Sequence, residues 1–182
     1  MENHSQPSKS ISSSLVNGLV EQLMTVVPFS EMDKESVELF IKNCDEQYYE
    51  PNEIIIEPNA GVPQCLYLIR QGSVSGKRDQ QHGASIYFEL DAGEMFSIGS
   101  VLTSRPVSTV YRSIGDTFCL QFPVKKLTDF GIQSPRFIDY LKGSFQTILH
   151  KSQEDLRQHF AAKAAETQLH QNTLESLVTR EP

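Results

Sequence analysis

The chain has 182 residues, of which 38% are hydrophobic and 21% charged. That supports one domain with a real core and excludes a wholly disordered chain. A formal net charge of -7 argues against a nucleic-acid binder, which presents a basic face, and no apolar run approaches the ~20 residues that cross a bilayer.

Residues 1–14 are polar and serine-rich, and the pattern predicts a disordered tail. From Leu15, the positions Leu15, Leu19, Leu23 and Val26, with Val16, Val20 and Val27 beside them, recur at helical spacing. Pro28 disfavours helix before it and ends the run. The stripe carries no lysine or arginine, so it is expected to pack on the following domain and not on a membrane. A second helix is predicted over Asp33–Asn43, with Ser30 and Asp33 as start signals.

Then the period drops to about two. Gln47–Glu50, Ile54–Glu57, Cys65–Arg70, Ser73–Lys77, Ser85–Leu90, Val107–Arg112 and Phe118–Phe122 read as short strands separated by Gly, Pro, Asn and Asp. Many short strands at regular spacing predict a sandwich or barrel. Leu66, Tyr67, Leu68 and Ile69 are apolar on both sides, so this strand is expected to be covered on both faces. Lys77-Arg78 reads as a solvated turn, Arg70 as pointing outward, and Tyr48 and Tyr49 as one exposed and one buried. Val124–Phe130 predicts a short helix. Ser134-Pro135 then supplies a capping serine and a first-turn proline. Phe137, Leu141, Phe145, Ile148, Leu149, Leu156 and Phe160 follow at helical spacing, so this helix is expected to reach Leu169. At about 50 Å it is longer than the roll needs. A homodimer through this C-terminal helix is the expected partner arrangement.

No charged-then-apolar leader opens the sequence, and Cys44, Cys65 and Cys119 form neither a disulfide framework nor a zinc knuckle. A cytoplasmic location is expected. Cys65 and Cys119 read as small buried hydrophobes. The five histidines show no metal-binding spacing. No paired-carboxylate motif, nucleophile elbow or phosphate loop is present. The chain is therefore predicted to be no enzyme, with no catalytic residue, no metal ligand and no nucleic-acid partner.

The order of elements resembles the cyclic-nucleotide-binding domain family. Pro28-Phe29-Ser30 and the helix after it resemble the entry segment. Leu66-Tyr67-Leu68-Ile69-Arg70-Gln71-Gly72-Ser73-Val74 resembles the strand–glycine–strand element. Leu90-Asp91-Ala92-Gly93-Glu94-Met95-Phe96 resembles the approach to the phosphate-binding cassette, and Asp116-Thr117-Phe118-Cys119-Leu120 the final strand. The resemblance spans about Pro28 to Leu141. It implies a mainly β fold, a jelly-roll barrel (double-stranded β-helix) with N-terminal helices and a long C-terminal helix.

The cassette departs from the family pattern. It reads Phe96-Ser97-Ile98-Gly99-Ser100-Val101-Leu102-Thr103-Ser104-Arg105-Pro106-Val107-Ser108. Ser97 stands where the family has glycine and Ile98 where it has the ribose-binding glutamate. Val107 follows the proline where the family has the phosphate-binding arginine, and Arg105 precedes it. Hydrogen bonds to charged groups contribute about 1.5–3 kcal/mol each. Losing two costs on the order of 3–6 kcal/mol, or about 10²–10⁴ in affinity. The resemblance therefore implies a regulatory module with a degenerate pocket. Its candidate ligand-binding residues are Phe96, Ser97, Ile98, Gly99, Ser100, Arg105, Val107 and Ser108. No cofactor is assigned, and a cyclic or other nucleotide, or a small anion, is the ligand class to test. The loop is expected to fill its own pocket, with Arg105 in solvent.

The tail Leu174–Pro182 resembles the opening of a CBS domain. The whole is similar to the N-terminal regulatory part of bacterial CBS-containing nucleotidyltransferase and signalling proteins. The chain is accordingly expected to be part of a longer polypeptide, to which the roll signals through its helix. Two alternatives stay open: a domain that binds cyclic AMP or cyclic GMP in the ordinary way, and a fragment of a transcription regulator of the cyclic-AMP receptor type.

Overall fold

The computed structural model describes residues 13–79 and 85–178. The predicted tail over 1–14 lies outside them except for its last two positions, as do the last four residues of the CBS-like stretch. Two compact units divide the chain, Met1–Ser144 and Phe145–Pro182.

Helix α1 spans Ser13–Leu23 and buries Val16, Leu19, Val20 and Leu23. It stops one turn earlier than the apolar spacing suggested, and Val27 is exposed. Helix α2 spans Lys34–Asn43. Its cap is Asp33, whose carboxylate accepts from the Ser36 N–H at 2.8 Å and from the Ser36 hydroxyl at 2.8 Å. Those bonds lower the Asp33 pKa from its ordinary value. Ser30, the other expected start signal, sits instead in a 3₁₀ turn, Phe29–Glu31.

Eight strands follow: β1 (Asp45–Tyr49), β2 (Ile54–Ile56), β3 (Cys65–Gln71), β4 (Ser73–Arg78), β5 (Ile86–Asp91), β6 (Met95–Phe96), β7 (Val110–Ser113) and β8 (Thr117–Pro123). They form two four-stranded antiparallel sheets, ordered β1-β8-β3-β6 and β2-β7-β4-β5. This is the jelly roll with flanking helices that the sequence led us to expect. Between β6 and β7 lies the short helix α3 (Ile98–Thr103). After β8 come α4 (Leu127–Gln133) and α5 (Pro135–Val178).

Five further expectations change. The strand predicted over Val107–Arg112 begins only at Val110, where ladder pairing with β4 starts opposite Lys77. Lys77-Arg78 is the end of β4 and not a turn, with Lys77 Nζ 3.1 Å from Asp79. Arg70 does not simply point outward. It pairs with Glu46 and lies 4.8 Å from the Phe118 ring centre. Ser134 is buried, and its hydroxyl caps nothing among the described residues, yet the helix starts at Pro135 as predicted. That helix runs on to Val178, past the expected Leu169.

Strand β3 is covered on both faces, as its sequence predicted. Leu66 lies opposite Phe122 and Leu68 opposite Leu120, and all four are buried. Phe122 stacks on Phe40 of α2 at 5.0 Å, and Phe29, Phe130 and Phe137 join the same cluster. This aromatic cluster fastens the helices to the outside of the first sheet. The other face of β3 turns Ile69 into the roll interior, with Tyr49, Ile56, Val74, Phe96, Val107 and Cys119. Tyr48, one residue from Tyr49, is exposed and donates to Asp116 at 2.6 Å. Gly72 joins β3 to β4 at φ +88°, where a Cβ would lie 2.5 Å from the Asp116 carbonyl oxygen. Only glycine fits that turn. Among the described residues no helix is long and apolar enough to cross a membrane.

Candidate functional site

The cassette hangs between the two sheets. A turn at Asp91–Gly93 enters it. Gly93 donates to the Ile69 carbonyl at 2.8 Å, and the Glu94 carboxylate accepts the Asp91 N–H at 2.7 Å. Two-residue strand β6 then pairs with Tyr67 and Leu68. This strand went unpredicted, because two residues carry no period.

Ser97 takes φ +65°. That is the left-handed region glycine enters without strain, and here a serine occupies it. The Ser97 side chain is buried, and its hydroxyl donates to the Cys65 carbonyl at 3.3 Å. Ser104 ends α3, also left-handed, and Arg105 N donates back to the Ser100 carbonyl at 3.1 Å.

The candidate residues divide. Phe96, Ser97, Ile98 and Val107 are all buried, with Ile98 5% and Val107 3% exposed. Phe96 and Val107 belong to the roll's interior cluster. Gly99 and Ser100 are half-buried, and Arg105 and Ser108 face solvent. The hydroxyls near α3 serve the local backbone: Ser100 reaches the Pro106 carbonyl at 3.5 Å and Thr103 the Gly99 carbonyl at 2.7 Å. Arg112 donates to the Asn52 carbonyl on the outside of the second sheet. Arg70 is held by Glu46.

Aromatic rings occupy the space above the cassette. Tyr111 stacks on Phe96 at 4.7 Å, Phe96 on Tyr67 at 4.9 Å, and Phe88 meets Tyr111 edge-on at 6.2 Å. Burial pushes the Tyr111 hydroxyl pKa up, while hydrogen bonds with Thr109 and the Ser97 backbone act the other way. Burial likewise raises Tyr67, to about 12. The sequence reading missed Tyr111. The signal was there: within the strand predicted to run to Arg112, Tyr111 alternates with Val110 and Arg112, which puts it on the opposite face from them.

The thiols are not activated. Cys44 and Cys119 are buried and Cys65 half-buried, and desolvation raises the pKa of each, that of Cys119 to about 12. Two surface grooves lie away from the cassette. One, of about 570 Å³, runs over the outer face of the second sheet between Ser75, Lys77, Tyr87, Glu89 and Arg112. The other, of about 460 Å³, lies between α4 and the first turns of α5, at Gly131, Ile132 and Ile138.

A roll of two four-stranded antiparallel sheets, a short helix lodged between β6 and β7, and a helix leaving after β8 define the class of fold. Residues 46–133 match the family model described as the cyclic nucleotide-binding domain. The fold is shared with solved structures. The catabolite activator protein of Thermus thermophilus aligns at 22% identity with a TM-score of 0.63, over 70% of this chain and 60% of its own. The regulatory subunit of a cAMP-independent protein kinase A from Trypanosoma brucei aligns at 17% and 0.63, over 72% and 47%. The sensor domain of the transcriptional regulator DNR from Pseudomonas aeruginosa aligns at 13% and 0.60, over 75% and 91%. The chain thus spans about half the length of the first two. No curated protein matches it.

Proposed function

We propose that the roll is a regulatory module with a degenerate pocket, which takes cyclic AMP or cyclic GMP weakly or not at all. The observation that carries this is the burial of Ile98 and Val107. They stand where the family resemblance puts a ribose-binding glutamate and a phosphate-binding arginine. Neither can accept from a hydroxyl or neutralise a phosphate, and Val107 is part of the interior packing. Arg105, exposed beside the cassette, is the cation left to meet a small anion. One structural neighbour is described as belonging to a cAMP-independent kinase, and a triple variant of it as bound to cAMP in its A site. A roll of this shape is therefore compatible with either behaviour, and the side chains decide.

Calorimetric titration of the chain with cyclic AMP, cyclic GMP, AMP and ATP tests the reading. Cyclic nucleotides are expected to give dissociation constants in about the millimolar range. A low-micromolar constant with one site per chain overturns it.

The output is proposed to run through α5. Ile148 and Leu149 are each 45% exposed on this helix, and with Phe145 they follow helical spacing. A second copy of the same helix supplies matching apolar surface, so the chain is expected to sediment as a dimer. Sedimentation as a monomer at high concentration refutes this arm. The proposed recipient is a downstream domain of the CBS type, on the strength of the resemblance at Leu174–Pro182 alone.

A further inference from the structure

The corner between α4 and α5 is firmly built and carries an apolar groove. Phe130 of α4 and Phe137 of α5 are buried and meet edge-on at 5.2 Å. Ile138 lies against Gly131, where a Cβ would come within 2.5 Å of its Cγ1. Glycine there lets the two helices approach closely. The groove holds about 460 Å³, and its apolar lining is Leu127, Ile132, Pro135 and Ile138. Ile132 is 75% exposed, more than any other large apolar side chain among the described residues. Asp139 and Lys142 line the same groove. Both are exposed, and neither has an ion-pair partner among the described residues, not even each other.

We propose that a second copy of the chain docks in this groove, the two α5 helices crossing antiparallel so that Asp139 of each copy faces the partner's Lys142. The charges select both the occupant and the direction. A two-fold axis along the helices sets each residue against its own copy, and would oppose Asp139 to Asp139 and Lys142 to Lys142. A two-fold axis across them, level with residues 140 and 141, exchanges 139 with 142 and satisfies both charges at once. A second copy presents the required charges in the required order by symmetry alone. The same contact takes Ile132 and Ile138 of each copy out of water. This rests on the dimer reading and adds the surface and the orientation of the two chains.

Sedimentation equilibrium on the full chain and its Asp139→Lys and Lys142→Asp variants tests the proposal. Both side chains are exposed, so each variant is expected to melt like the parent. Each single change sets like charges against each other at two contacts, and the dimer dissociation constant is expected to rise about tenfold. The double variant exchanges the two charges and is expected to dimerise like the parent. An equimolar mixture of the two single variants is expected to form the heterodimer, in which both contacts are again opposite in sign. Ile132→Ser is expected to weaken the dimer by a similar factor. Single variants that dimerise like the parent, or a double variant no tighter than the singles, overturn the proposal and leave the dimer reading standing. A parent that stays monomeric at high concentration overturns both and leaves the groove to another occupant.

Discussion

Phe40→Ala is expected to cost about 3–5 kcal/mol, the usual penalty for removing a fully buried aromatic ring. Phe40 is 0% exposed. It touches four other rings: Phe29 at 4.9 Å, Phe122 at 5.0 Å, Phe137 at 5.3 Å and Phe130 at 5.8 Å. Those rings come from the entry turn, β8, α4 and the first turn of α5, so one side chain joins four elements. The void cannot close by moving a single neighbour, which places the cost in the upper part of the range. Domains are stable by only about 5–15 kcal/mol in total. Urea unfolding should therefore show a much lower midpoint, or a chain already partly unfolded in water. A midpoint within experimental error of the parent would mean that the helices are not fastened to the roll by this cluster.

The second large effect is expected from rebuilding the family's pocket. Under the proposed reading, Ile98→Glu together with Val107→Arg supplies, by residue type, the ribose acceptor and the phosphate arginine that the family resemblance puts at these positions. Each would place a charge where the side chain is now buried. An unpaired buried charge costs on the order of 3–5 kcal/mol. The two changes are expected to destabilise the chain heavily and to give no micromolar binding of cyclic AMP, because the stacked rings of Tyr67, Phe96 and Tyr111 still lie beside the cassette. Thermal melting and calorimetry on the double variant check this. A variant that melts like the parent and binds cyclic AMP in the micromolar range would show that both positions face an open pocket.

Much of the fold was legible because its causes are local. The helix α2 announced itself through Asp33 and the apolar positions after it. Strand β3 showed through four consecutive apolar residues, and the β3–β4 turn through Gly72. The site was legible only as a list of substitutions. Ser97, Ile98 and Val107 could be read as departures from a pattern, but not as a serine holding a glycine's backbone angle or as two side chains sealed into packing. Arg70 and Lys77 were misjudged for a similar reason. Their partners, Glu46 and Phe118 for one and Asp79 just past the end of β4 for the other, depend on how β1, β8 and β4 are laid down.

By itself the sequence determined the order of helices and strands, the turns that demand glycine, and the absence of a carboxylate and an arginine from two cassette positions. These follow from residue type and short-range periodicity, which act within a few residues along the chain. Only the tertiary structure decided that Tyr111, fifteen positions beyond Phe96, comes back to stack on its ring at 4.7 Å. That meeting requires the two sheets to close on each other, and closure brings together side chains whose separation along the chain carries no signal of contact.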